Sequence, residues 1–168
     1  MKTENNIILT NTQINHKIRR IALQIIESNV DESKIILAGI TNNGFLIAEK
    51  LKTIIESYAS IEVVLCEVFI NKKNLLSEVK LSINIDDYKK SSVVIVDDVL
   101  HSGATLIYAV KHFLNTPLKQ LKTAVLINRN HKKFPVKADF KGLSLSTSIN
   151  EHVEVVFNSD KEATAILV

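Results

Sequence analysis

The segment Val93 to Leu106, reading VVIVDDVLHSGATL, constrains the fold more than any other stretch of this chain. Val93 to Val96 are consecutive β-branched residues without polar alternation, the pattern of a parallel strand covered on both faces. Asp97 and Asp98 follow at its carboxyl end, where open α/β sheets put their ligands. Leu106, Ile107, Ala109, Val110, Phe113 and Leu114 then resume at helical spacing, so the small-residue loop with Ser102, Gly103 and Thr105 opens a helix. Glycine lets backbone approach closely, the helix start offers amide hydrogens to an anion, and the hydroxyls add donors; a phosphate fits here. Carboxylates cannot hold that phosphate. They suit sugar hydroxyls or a divalent cation beside it, which points to a phosphorylated sugar. The competing reading is that Asp97 and Asp98 merely end a strand and cap a helix.

The rest of the chain agrees with a single α/β domain spanning residues 1–168. A chain of 168 residues buries roughly 70% of its unfolded surface, enough for one substantial core. No stretch is apolar over the length of a bilayer span, and the start MKTENN lacks the apolar core of a signal peptide, so a cytoplasmic protein is expected. Cys66 is the only cysteine, which excludes an internal disulfide, and its setting in IEVVLCEVF makes it a buried structural thiol. The net charge of +3 suits anionic ligands, but acids and bases interleave along the chain and do not by themselves argue for nucleic acid.

Helix and strand patterns alternate without repeats or a long linker. Thr12 caps an opening helix with Ile14, Ile18, Ile21, Ala22, Ile25 and Ile26 as its apolar stripe and Lys17, Arg19, Arg20 and Gln24 outside it. A buried strand over Lys34 to Ala38, a turn over Gly39 to Gly44 and a helix over Phe45 to Tyr58 form a β-loop-α unit. Ile61 to Ile70 reads as a long strand, Asn71 to Ser77 as a mobile hairpin loop, and Val79, Leu81, Ile83 and Ile85 as a half-buried strand. Leu121 to Ile127 is a further buried strand, Asn128 to Pro135 a basic loop, and the segments beyond it read as short strands.

The Val93 to Leu106 segment resembles the phosphoribosyl diphosphate (PRPP) motif of type I phosphoribosyltransferases. IRRIALQIIESN, ILAGITNNGFLIAEKL and above all TAVLINRNHKKFPVKADFKGLSLSTS extend the resemblance to the bifunctional pyrimidine operon attenuator and uracil phosphoribosyltransferase family. In the last stretch a basic Arg-x-His loop, a proline, an Ala-Asp-aromatic and a Thr-Ser are similar to that family's base-side segment. The resemblance implies a mainly parallel sheet flanked by helices with a small hood, a homodimer or higher oligomer, and transfer of ribose phosphate from PRPP to uracil with Mg²⁺ on the diphosphate. Asp97 and Asp98 would hold ribose hydroxyls or metal waters, and His101, Ser102, Gly103, Ala104 and Thr105 the 5′-phosphate. Leu126, Ile127, Arg129 and His131 would border the base, although His131 reads equally well as a surface histidine.

This chain departs from the family where the diphosphate is held. A Lys-Thr-Arg-Gly pattern in the family corresponds here to Thr41, Asn42, Asn43 and Gly44, so two positive charges are missing. The mobile-loop pattern Tyr-Arg-Asp-Asp corresponds to Ile70, Asn71, Lys72 and Lys73, with Lys72 the replacement cation, and Ala104 stands where the family has arginine. The alternative function is therefore a UMP- or UTP-sensing, RNA-binding regulator with little or no transferase activity. Lys132, Lys133, Lys137 and Lys141 would give it a basic strip, while Leu23 and Leu143 replace a family histidine and lysine. Transfer to a purine or another base is a third reading.

Overall fold

The structure is a computed structural model that describes residues 6–146, 148 and 150–168. Thr147, half of the Thr-Ser pair in the family-like stretch, lies outside the described residues. In chain order the elements are β1 (Asn6–Leu9), α1 (Asn11–Glu27), β2 (Lys34–Ile40), α2 (Asn43–Tyr58), β3 (Glu62–Phe69), β4 (Lys80–Leu81), α3 (Ile85–Tyr88), β5 (Ser92–Leu100), α4 (Ala104–Phe113), β6 (Gln120–Arg129), β7 (Phe140–Leu145), β8 (Val153–Phe157) and β9 (Ala163–Leu167). The central sheet has the order β4-β3-β2-β5-β6-β7 and is parallel except for β4, which closes one edge antiparallel to β3. β1, β9 and β8 form a separate antiparallel sheet. This is the α/β fold anticipated above, with the small sheet in the position of the hood.

Two apolar layers sandwich the central sheet, as a parallel sheet requires. One joins Ile14, Ile18, Ile21 and Ile25 of α1 and Ile47, Leu51 and Ile55 of α2 to alternate strand residues, and it continues into Val153, Val155, Ala163 and Ala165 of the small sheet. The other packs Leu106, Ala109 and Phe113 of α4 with Tyr88 on Ile36, Ile95 and Val125. Cys66 is fully buried in this second layer, and burial pushes its thiol up to about 11, which fits a structural residue. Among the described residues no helix is long and apolar enough to cross a membrane.

Several boundaries differ from the sequence expectation, each for a local reason. Thr10 caps α1, not Thr12, because only Thr10 has a partner three residues on: its hydroxyl accepts from the Gln13 amide while the Gln13 side chain accepts from its own amide at 2.9 Å. The expected turn over Gly39 to Gly44 is shorter, since β2 continues to Ile40 and α2 starts at Asn43. The half-buried strand expected from Val79 to Ile85 shrinks to Lys80–Leu81; the Asn84 amide donates to Asp87 Oδ2 at 2.8 Å, and this cap turns Ile85 into α3. β5 does not stop before the acids but runs through them to Leu100, and β6 takes in Asn128 and Arg129, which the sequence reading gave to a loop.

Strand order reverses between β2 and β5, because the chain leaves β2 toward β3 and returns on the opposite side to add β5, β6 and β7. Such a switch point leaves a crevice at the carboxyl ends of the two strands, and ligands of open α/β sheets bind there.

Candidate active site

At that crevice β5 loses one neighbour and keeps the other. Its pairing with β2 ends at Gly39↔Val96, whereas pairing with β6 continues to Leu100↔Asn128. Asp97 and Asp98 thus sit on a strand held on one side only. The space beside them is shaped by Gly44, where a Cβ would lie 2.5 Å from the Val96 carbonyl oxygen, so any side chain would push α2 off β5. Asp97 is only 5% exposed, and burial first, then the neighbouring Asp98, holds its carboxyl well above the usual carboxylate range. Asp98 is half-buried and faces the crevice, its Oδ1 accepting from the Val99 amide and its Oδ2 from Asn43 Nδ2, both at 2.8 Å.

The crevice is a cavity of about 410 Å³ lined by the acids, by the loop from His101 to Thr105, by Asn43 and Lys72, and by Val153, Glu154 and Val155 of β8. Gly103 takes the left-handed φ of 85° and precedes the first turn of α4, whose leading amides have no carbonyl of their own helix to meet. The Ser102 hydroxyl accepts from the Ala104 amide at 3.2 Å, and the Ser102 carbonyl accepts from the amides of Lys133 and Phe134 at 2.8 and 3.1 Å. The basic loop after β6 therefore braces the turn from behind. At the start of α4 and on the wall of the cavity, this turn is placed to hold a phosphate while Asp98 meets hydroxyls on the same ligand.

His101 joins this loop to buried Arg129, whose Nη1 lies 3.1 Å from His101 Nδ1 and whose Nη2 donates to the Ser148 carbonyl at 3.2 Å. Arginine only donates, so His101 Nδ1 is the acceptor and its proton sits on Nε2. Burial, then the Arg129 charge, lowers the His101 pKa below the ordinary imidazole value, which keeps the ring neutral at pH 7.

Among the described residues, β8 borders the cavity with an edge that pairs with no other strand. His152 and Val168 exchange both backbone hydrogen bonds, at 3.0 and 2.7 Å, so alternate residues from His152 face β9. Val153 and Val155 consequently turn their amides and carbonyls away from β9. The Val155 carbonyl already accepts from Asn43 Nδ2 at 2.8 Å, and the Val153 carbonyl with the Val155 amide form an adjacent acceptor and donor.

The sequence-predicted residues divide into three groups. Asp97, Asp98, His101, Ser102, Gly103, Ala104, Thr105, Asn43 and Lys72 meet in the cavity. Thr41, Asn42, Gly44, Lys73 and Arg129 do not line it: the Thr41 hydroxyl turns to the Val68 carbonyl at 3.0 Å and Glu67 Oε1 at 3.2 Å, Arg129 reaches it only through His101, and Asn42 and Lys73 are exposed. Leu126 and Ile127 do not reach it. Both are fully buried in the apolar cluster that α1 and α2 share with the sheet. His131 is exposed on the loop after β6. The sequence reading missed Val153, Glu154 and Val155; it anticipated a hood, but the only sign of this edge is the alternation of HVEVVF.

The sequence model of the phosphoribosyl transferase domain family matches residues 4–161. The chain is 32% identical to the bifunctional protein PyrR of Fusobacterium nucleatum, covering 99% of this chain and 100% of that protein. It is 31% identical to a protein of the same name from Streptococcus thermophilus, covering 89% and 88%. Among solved structures, a hypoxanthine-guanine phosphoribosyltransferase from Bacillus anthracis superposes with a TM-score of 0.77 at 21% identity, covering 99% and 100% of the two chains. The hypoxanthine phosphoribosyltransferase of Trypanosoma cruzi gives 0.76 at 16% identity, covering 96% and 95%.

Proposed function

Because this chain belongs to the phosphoribosyl transferase domain family, we propose that it transfers ribose 5-phosphate from PRPP to uracil, forming UMP and pyrophosphate. The observation that carries this reading is that the loop His101–Thr105 and Asp98 line one cavity, a phosphate-type loop and a hydroxyl acceptor together at the switch point. Uracil N1 forms the new bond at ribose C1 and gives up its proton, while the bond from C1 to the diphosphate oxygen breaks and its electron pair leaves with pyrophosphate, which can take up that proton. Positive charge then develops on the ribose, so Asp98, the half-exposed acid, is the group suited to face it, while Asp97 shapes the strand behind. No protein nucleophile is required. The free edge of β8 supports a nucleobase, since the Val153 carbonyl and Val155 amide match the N3–H and a neighbouring carbonyl of uracil. The choice of uracil itself rests on the sequence resemblance.

Among the described residues no group of three or more His, Cys, Asp and Glu is suited to hold a metal. The acid pair nonetheless fits Mg²⁺, which keeps several waters and binds through one or two carboxylates together with substrate phosphates. Asp98, with each oxygen accepting one hydrogen bond, retains lone pairs for such a water. Mg²⁺ would neutralise the leaving diphosphate.

The second reading, a UMP- or UTP-binding regulator acting on RNA, is favoured by the neutral loop Thr41–Asn43, whose hydroxyl and Asn43 amide hydrogens already bond within the protein. One experiment separates the two. The protein is incubated with PRPP, Mg²⁺ and in turn uracil, hypoxanthine, guanine, adenine and orotate while pyrophosphate release is followed. Release with uracil alone is the expected result. Release only with a purine replaces uracil as the substrate, and no release with calorimetric binding of UMP or UTP selects the regulator.

A further inference from the structure

Asn43 makes a contact that joins two halves of the site. Its Nδ2 carries two hydrogens; one donates to Asp98 Oδ2 and the other to the Val155 carbonyl, each at 2.8 Å. α2, the acid on β5 and the free edge of β8 thus meet in one side chain. Both side-chain amide hydrogens are in use, so the Asn43 side chain has none left for an incoming anion. Of that side chain only the acceptor oxygen remains, and that repels phosphate oxygens. The neighbouring Thr41 hydroxyl is likewise engaged with β3.

Resting on the reading of the cavity as a ribose-phosphate site, we infer that Asn43 is a latch that makes this site favour a nucleoside monophosphate over PRPP. A nucleoside monophosphate spans the phosphate loop, Asp98 and the β8 edge, and it carries no group toward Thr41–Asn43. It needs the acid and the edge held in register, which the closed latch does. PRPP has no base to engage β8, and its diphosphate lies against the loop. To donate to that diphosphate Asn43 must release Asp98 or Val155, giving up a charge-assisted contact or a backbone contact. Asn43 acts through Asp98 and β8 and is therefore a positioning residue.

Two variants test it, Asn43→Ala and Asn43→Asp, the second keeping the shape but removing both donors. Amide hydrogen exchange without ligand reads the latch directly: residues 153–157 exchange faster in both variants, while β6 stays protected. Unchanged exchange across β8 overturns the latch. Calorimetry with UMP and with PRPP reads the selectivity on Asn43→Ala. UMP affinity falls and PRPP affinity rises, each by about tenfold, the equivalent of one hydrogen bond to a charged group. Equal losses for both ligands, as a purely structural role would give, or no change in either, refutes the selectivity. A parent protein that binds no UMP at all sinks the reading of the cavity and the selectivity with it, and the exchange comparison, which needs no ligand, still decides whether the latch exists.

Discussion

At the scale of single residues the two adjacent acids differ in what surrounds them. Asp97 is buried with its carboxyl held toward the protonated form, so the folded protein binds a proton there more tightly than the unfolded chain does. Its contribution to stability is fully present below the unfolded value near pH 3.9 and is lost as pH rises toward the raised folded value. The slope can reach about 1.4 kcal/mol per pH unit for one proton. Asp97→Asn removes the titrating group and keeps the shape. Melting temperatures of parent and variant should therefore diverge with pH, the variant gaining more at pH 8 than at pH 5; parallel curves would show that Asp97 ionises freely. Gly44 is the second sharp case. Gly44→Ala puts a methyl 2.5 Å from the Val96 carbonyl oxygen, backbone that cannot yield without moving α2 or β5. A loss of about 1–3 kcal/mol in chemical denaturation is expected, the usual cost of overpacking.

At the scale of elements, what was legible in the sequence is what is local. VVIVDD announced a buried strand and HSGATL a helix start, because apolar runs and small residues carry their own signal. The sequence could not show that β5 runs on to Leu100, since that extension exists only through pairing with β6. Nor could it show that β8 turns a free edge to the acids, because β8 pairs with β9 and β9 with β1 from the far end of the chain. Leu126 and Ile127 were assigned to the base from the likeness of a segment, yet both side chains are fully buried in the core. The same gap explains Asn43: the sequence marks a missing charge, and only the fold shows that its amide has other partners. Restoring the family-like cations with Thr41→Lys and Asn43→Arg should lower the Michaelis constant for PRPP by roughly tenfold, about 1.4 kcal/mol for a recovered charge-assisted contact. Steady-state kinetics at saturating uracil measures it. No change would mean that this loop does not meet the diphosphate.

At the scale of the whole molecule, the central sheet supplies one crevice and three elements converge on it: β5 with its acids, the turn into α4, and the edge of a small sheet built from both ends of the chain. Each offers a different partner, carboxylate, amide hydrogens and strand edge, and a ribonucleoside monophosphate has one group for each. The most direct measurement is a crystal structure with UMP bound. The phosphate should rest on the amides of the His101–Thr105 loop and the first turn of α4, the ribose hydroxyls on Asp98, and the uracil edge on Val153 and Val155. A nucleotide bound elsewhere, or one in this cavity whose phosphate turns away from that loop, would contradict the account.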